Sequence, residues 1–150
     1  ISHIYEKIEP HKRFRRLQYQ IEFSDDGKPE LYVKVLNDEE DGVVPELFFS
    51  SAQLNTVALS VFLGGALSSH NPEVKTIFID DPIGHFDDLN VLSFIDVIRT
   101  IISETDWQII ISTHEENFYE IMKVKLNPKY YNSKFLVFKD EGIVVEDEVL

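Results

Sequence analysis

The spacing of apolar side chains changes several times along this chain, and each change marks an element. Ile1, Ile4, Tyr5 and Ile8 recur at i, i+3, i+4 and i+7, one face of a short helix that Pro10 ends. Two turns are too few to stand alone, so the segment is expected to be the end of a longer helix. From Arg15 to Phe23 the period drops to two, with Leu17, Tyr19, Ile21 and Phe23 on one side. Ser24 to Lys28 supplies turn chemistry, and Leu31 to Leu36 reads as the returning strand of an antiparallel hairpin. The acidic run Asn37 to Gly42 reads as a solvated loop.

A long apolar helix is expected over Phe48 to Leu67. Leu54, Val57, Ala58, Val61 and Phe62 form its stripe, and Leu59, Leu63 and Leu67 widen it until most sides are apolar. Ser50 and Ser51 stand where N-cap residues belong. After a turn at Asn71-Pro72, the run from Val74 reads as a buried strand closed by Asp80 and Asp81. Pro82 ends it and Gly84 is expected to make the tight turn. Asp87-Asp88 then cap a second helix running to about Ser103, with Leu89, Leu92, Ile95, Ile98, Ile101 and Ile102 inward. Gln108 to Ser112 is a β-branched strand leading into Thr113-His114. Glu115 to Lys123 follows as a short helix with Phe118, Ile121 and Met122 inward. Phe135–Phe138 and Ile143–Val145 pair around Asp140-Glu141-Gly142. Strand–helix–strand–helix order in the second half predicts a parallel sheet.

Composition narrows the class. With 150 residues, 43% apolar and 12% aromatic, the chain is one globular domain with a real core. No apolar run reaches the roughly 18 residues of a membrane span. No signal peptide is visible, and the absence of cysteine excludes a disulfide scaffold or thiolate metal site. A cytoplasmic location without a membrane partner is expected. A net charge of −13 argues against broad nucleic-acid binding through this segment. His11, Lys12, Arg13, Arg15 and Arg16 nevertheless cluster, either as a solvated basic turn or as a local DNA-facing patch. The first residue is Ile1 and the only methionine is Met122, so an interior or C-terminal piece of a longer protein is expected.

Three short motifs carry candidate chemistry. Phe49-Ser50-Ser51-Ala52-Gln53 opens the long helix, where small residues let an anion approach free backbone N–H groups and the helix dipole favours it. Thr76 to Asp81 ends a strand in adjacent carboxylates, the edge at which open α/β sheets place their chemistry. Ile109 to His114 ends another strand in an imidazole. Each has a plain alternative: a Ser-capped core helix, a strand end with capping aspartates, and a histidine with no special duty.

In this order along the chain the three motifs resemble the signature, the Walker B strand with its D-loop, and the H-loop of ABC-type ATPases. Ala52 stands where the signature usually has its second glycine, and Asp81 where Walker B usually has Glu. The leading helix, the hairpin and the Asp80-Asp81-Pro82 tripeptide are most similar to the SMC, RecN and RecF branch. The resemblance implies an α/β fold, the C-terminal lobe of a P-loop ATPase head with a parallel sheet and an N-terminal antiparallel hairpin. Residues 1–10 would be the stub of a coiled-coil helix and 11–150 the lobe. The implied cofactors are ATP and Mg²⁺. Asp80 would hold the metal through water, Asp81 would polarise the attacking water, and His114 would sense the γ-phosphate. Ser50, Ser51, Ala52, Gln53 and Asp87 would bind nucleotide held by a second head. No GxxxxGK[ST] loop occurs, so the implied partners are an N-terminal lobe carrying Walker A, a second head in an ATP-dependent dimer, and DNA through the full-length protein.

A reading from another class uses the same residues. Asp80, Asp81, Asp87, Asp88, His85 and His114 could form the two-metal site of a phosphoesterase or nuclease. It leaves the helix at Ser50 unexplained. A third reading is a lobe competent only for dimerisation.

Overall fold

The structure, a computed structural model, describes residues 2–8, 13–69, 73–84, 86–139 and 142–147. Ile1, Pro10, His11, Lys12, Asn71, Pro72, His85, Asp140 and Glu141, which figured in the expectations above, lie outside the described residues. The elements run α1 (Ser2–Ile8), β1 (Arg16–Phe23), β2 (Pro29–Leu36), β3 (Gly42–Val43), α2 (Pro45–Phe48), α3 (Ser51–Leu67), β4 (Thr76–Asp80), α4 (Asp88–Glu104), β5 (Gln108–Ser112), α5 (Glu116–Lys125), β6 (Leu136–Phe138) and β7 (Val144–Glu146).

The hairpin forms as its alternation requires. Strands β1 and β2 pair antiparallel from Arg16↔Leu36 to Phe23↔Pro29. Gly27 turns the chain at φ 73°, the left-handed conformation that glycine adopts without a Cβ clash. Leu17 and Val35 face each other at the base and are buried with Tyr5 and Val57. Toward the tip the same apolar face emerges into solvent: Ile21, Phe23 and Leu31 are exposed. The run read as a solvated loop ends in β3, which pairs with β2 through Val35↔Val43, and Asn37 is buried, its Oδ1 accepting from Asp41 N (2.8 Å) and Glu39 N (3.0 Å). From the basic cluster, Arg16 donates to Asn37 O at 3.2 Å and reaches Glu40 at 4.0 Å.

Helix α3 starts at Ser51 rather than Phe48, because the preceding residues coil into α2 and Ser50 adopts an extended cap conformation. Its buried positions are Thr56, Val57, Leu59, Ser60, Leu63 and Gly64. The expected stripe was therefore turned: Ala58 and Phe62 are exposed, and Leu54 and Val61 only half-buried. A helix apolar on nearly every side gives periodicity no means of choosing a face. Val57 enters the smaller core with Tyr5, while Leu59 and Leu63 enter the larger one with Ile8, so α1 and α3 span both clusters.

Strands β4 and β5 run parallel in register from Thr76↔Gln108 to Asp80↔Ser112. Ile77 and Ile79 point into the larger core, against α4 residues Phe94, Ile95 and Ile98. Phe94 meets Phe118 with ring centroids 6.2 Å apart and Phe86 edge-on at 6.5 Å. Leu89 and Leu92, expected inward, lie on the outer side of α4, and Val91, Phe94 and Val97 take their place. The opposite face of the strand pair is bare: Phe78 is 68% exposed and Ile110 43%. Parallel sheets are almost always covered on both faces, so this half-dressed pair lacks a layer.

Helix α5 buries Phe118 and Met122, with Ile121 partly covered. Strands β6 and β7 pair antiparallel, one residue later than expected. A polar latch fastens them to α5. Lys123 Nζ lies 2.9 Å from Asp147 Oδ2 and 3.3 Å from Glu120, and Tyr119 OH donates to Asp147 at 2.9 Å. Burial, then the bond to Asp147, pushes the Tyr119 hydroxyl up to about 12. Lys123, followed by Tyr119, holds the Asp147 carboxyl below its ordinary value. A depressed folded-state value adds stability above the unfolded pKa and loses it as pH falls. Asp147→Asn should therefore melt below wild type at pH 7, with the gap closing below about pH 4. Thermal melts across that range check it; a gap independent of pH would rule out the ionic latch.

Candidate functional site

The C-terminal ends of β4 and β5 and the start of α3 come together, so residues far apart in sequence share one region. Asp80 leaves β4 on the bare face, alternating with Ile79. Its register partner Ser112 donates a short hydrogen bond to Asp80 Oδ1. Among the described residues Oδ2 of Asp80 has no hydrogen-bond partner. A strand-end carboxylate with one oxygen fixed and the other open fits a cation held through its water shell.

Asp81 is the strained residue of the site. Its φ is +45°, so at the turn after β4 the left-handed conformation falls on an aspartate and not on Gly84. Asp tolerates the left-handed region better than longer side chains because its short polar group bonds locally. Glu, which the ABC pattern prefers here, would have to take the same angle with a longer side chain. Asp81 N donates to Ser112 O at 2.8 Å, continuing the β4–β5 ladder past the strand end. Thr113 Oγ1 donates to Asp81 Oδ1 at 3.1 Å, and His114 Nδ1 lies 3.0 Å from Oδ2. Thr113 Oγ1 also accepts from Glu115 N at 3.1 Å, which orients its proton toward Asp81. His114 Nε2 lies 3.5 Å from Glu115, and the ring is 74% exposed. Asp81 and His114 thus form a pair open to solvent.

At α3, Ser50 is the N-cap. Its Oγ accepts from Gln53 N at 3.3 Å, and Gln53 Oε1 accepts from Ser50 N at 3.0 Å, a complete capping box. Ser51 is the first helical residue and not a cap. Side chains of Ser50 and Gln53 are therefore committed to the helix start, leaving the first-turn N–H groups of Ser51 and Ala52 for an incoming anion. An open cleft of about 450 Å³ runs beside them, lined by Ser51, Leu54, Asn55, Ala58, Asp81 and Gly84. Asp87 is the N-cap of α4, its Oδ1 accepting from Asn90 N at 2.8 Å.

Of the expected site residues, Asp80, Asp81 and His114 share the strand ends, and Ser51 joins Asp81 at the cleft. Asp87 is held to its own helix. Ser112, Thr113 and Asn55 were missed as site residues. The signal for the first two lay in the register: once Asp80 is paired across a parallel ladder, Ser112 and Thr113 must flank both carboxylates. Asn55 stood out only as a polar residue in an apolar helix. Of the six residues of the nuclease alternative, His85 lies outside the described residues, and among the described residues no group of three His, Cys, Asp or Glu side chains could hold a metal ion.

No protein-family model matches the chain. Over 129 residues, 83% of its length, it is 27% identical to an anticodon nuclease of Escherichia coli, and it spans about a third (32%) of that protein. Three solved structures superpose on almost all of it. One comes from work on ATP-driven dimerisation and DNA-stimulated activation of SMC ATPases (TM-score 0.60, 18% identity, 99% of this chain and 81% of that one). The second is an Smc head bound to the C-winged helix domain of ScpA (TM-score 0.65, 21% identity, 99% and 41%). The chain has the fold of an SMC ATPase head. The third, an Smc head with an extended coiled coil bound to the C-terminal domain of ScpA derived from Pyrococcus furiosus, agrees (TM-score 0.58, 20% identity, 97% and 33%). The mixed α/β layout with a parallel strand pair and an antiparallel hairpin is that of the C-terminal lobe of an SMC head. Among the described residues no helix is long and apolar enough to cross a membrane.

Proposed function

We propose that this chain is the C-terminal half of an ABC-type ATPase head of the SMC kind, coupling ATP binding and hydrolysis to dimerisation of two heads. The observation that carries the reading is the bare face of β4–β5. It ends in Asp80 and Ser112, on the side where no layer of the described residues lies. A second lobe bringing a phosphate-cradling loop would cover Phe78 and Ile110 and set its nucleotide against Asp80.

In that complex Mg²⁺ would neutralise charge on the transferring phosphate. Asp80 holds the cation's water shell. Asp81 accepts the proton of the attacking water, with Thr113 and His114 fixing its carboxylate. His114, pivoting from Asp81 to the γ-phosphate, reports whether that phosphate is present. The N–H groups of Ser51 and Ala52 meet the phosphate held by the second head. Residues 1–10 are the end of a coiled-coil arm, of which α1 packs on α3 and α4. The second head, the Walker A lobe and DNA are the partners. The setting is cytoplasmic; of DNA repair, chromosome maintenance and phage defence, the likeness to an anticodon nuclease favours the last.

The chain alone should bind Mg-ATP no tighter than about millimolar, because the loop that grips the β- and γ-phosphates supplies most of the affinity. Titration calorimetry tests this, followed by size measurement after a Walker A lobe is added. Micromolar binding by the pure chain, or no ATP-dependent dimer with the lobe present, would sink the proposal.

A further inference from the structure

One side chain joins the two halves of the candidate site, and none of the expectations above gave it a role. Asn55 lies one turn into α3. Its side-chain amide donates to Pro82 O at 3.0 Å and to Gly84 O at 3.1 Å, spanning 27 and 29 residues of sequence. Both N–H groups of one amide are therefore spent on the turn that follows Asp81. Neighbouring polar residues of α3 behave differently: Thr56 and Ser60 turn their hydroxyls back to helix carbonyls, Ala52 O at 3.1 Å and Thr56 O at 2.7 Å.

The turn that Asn55 grips needs holding. Asp81 sits at φ +45°, a conformation that persists only where surrounding bonds over-determine it. From one side the strand ladder and the Thr113–His114 pair fix Asp81. From the other, Asn55 fixes Pro82 and Gly84. Removing Asn55 would leave two carbonyls without their donor and free the turn to relax.

We propose that Asn55 is a positioning residue that makes the start of α3 and the Asp81 turn one mechanical unit. An anion docking at the Ser51 and Ala52 amides then sets the Asp81 carboxylate. The clamp stands on its own geometry, and the coupling rests on the ATPase reading above. Under that reading the anion belongs to the second head's nucleotide, while Asp81 serves the nucleotide of its own head. Asn55 therefore links occupancy of one site to catalysis in the other.

Two measurements separate the clamp from the function. In the 150-residue chain, hydrogen exchange is followed at the Asp81 and Phe86 amides, which donate to Ser112 O and Ile83 O. Asn55→Leu and Asn55→Asp, which keep the size but lose the two donors, should speed exchange there by on the order of tenfold. The middle of α3, Leu59 to Leu63, should be unchanged. Unaltered exchange at the turn overturns the clamp, and faster exchange throughout α3 reduces Asn55 to a folding role. In heads completed with a Walker A lobe, Asn55→Leu should lower kcat about 10–100-fold, the cost of a base displaced by about an ångström. KM for Mg-ATP and ATP-dependent dimerisation should stay within about twofold, and Asn55→Gln, which retains the amide, should recover part of the rate. Turnover within about twofold of wild type, or loss of turnover and dimerisation together, overturns the coupling. If wild-type completed heads hydrolyse no ATP, the ATPase reading fails and the coupling with it, while the exchange experiment still decides the clamp.

Discussion

Asp81→Asn should stop turnover while leaving nucleotide binding intact, trapping ATP-bound dimers of the completed head. The amide keeps the shape of the carboxylate, and Asn is at home in the left-handed region, so φ +45° is retained. Its oxygen can still accept from Thr113 Oγ1. What is lost is the proton acceptor, and a missing general base costs about 10²–10⁴-fold in rate. Asp80→Asn should act elsewhere. That side chain faces the bare sheet side and is placed for a cation's water shell, so its loss should weaken Mg-ATP binding by about 10–100-fold, the usual cost of an outer-shell partner. Single-turnover hydrolysis and binding measured on both variants separate the two roles. Equal affinities and equal residual rates would refute the assignment. Asp81→Glu is an informative third variant. It restores the carboxylate of the usual Walker B pattern but must take a left-handed angle that costs a longer side chain roughly 1–2 kcal/mol, so it should be less stable than wild type and not simply faster.

Different parts of this arrangement were legible in the sequence to different degrees, for physical reasons. The hairpin was plain because alternation fixes strand register: a slip by one residue would turn Leu17 and Val35 out of the core. Yet alternation does not say how far along the hairpin the core extends, and Ile21 and Leu31 prove to lie beyond it. The parallel pair followed from element order. Its bare face did not, since Phe78 and Ile110 read as core residues in any buried strand, and only the missing layer exposes them. The facing of α3 was illegible because both sides are apolar; which residues are buried depends on where α1 and β4 pack. The αL aspartate and the Asn55 clamp were hidden for a further reason. Both depend on backbone carbonyls brought together by folding, and a carbonyl carries no sequence signal.

The trans arrangement of the site is open to a decisive test at Ser51. Replacement of Ser50 is a poor probe, since it would dismantle the capping box and cost about 1 kcal/mol of helix stability on its own. Ser51 is exposed, makes no cap, and lines the cleft with Asp81 and Gly84. Ser51→Arg should leave the fold intact, because Ser50, Gln53 and the buried face from Thr56 to Leu63 are untouched. It should nevertheless place a bulky side chain where the second head's phosphate must approach, abolishing ATP-dependent dimerisation and reducing hydrolysis at least about 100-fold. Monomeric heads should still bind ATP. Mixing supplies the sharper result. Ser51→Arg heads combined with heads carrying a Walker A lesion form mixed dimers in which one composite site is doubly damaged and the other is whole. Such mixtures should recover up to about half of wild-type turnover, since neither variant dimerises with itself, every dimer formed is mixed, and each has one working site of two. Placing both lesions in the same head and mixing it with wild type should show no working site in any mixed dimer, because every composite site then has one damaged half. A site contained within one head predicts the reverse: no rescue in the first mixture and an unaffected wild-type partner in the second. Full hydrolysis by Ser51→Arg alone would refute a shared site outright.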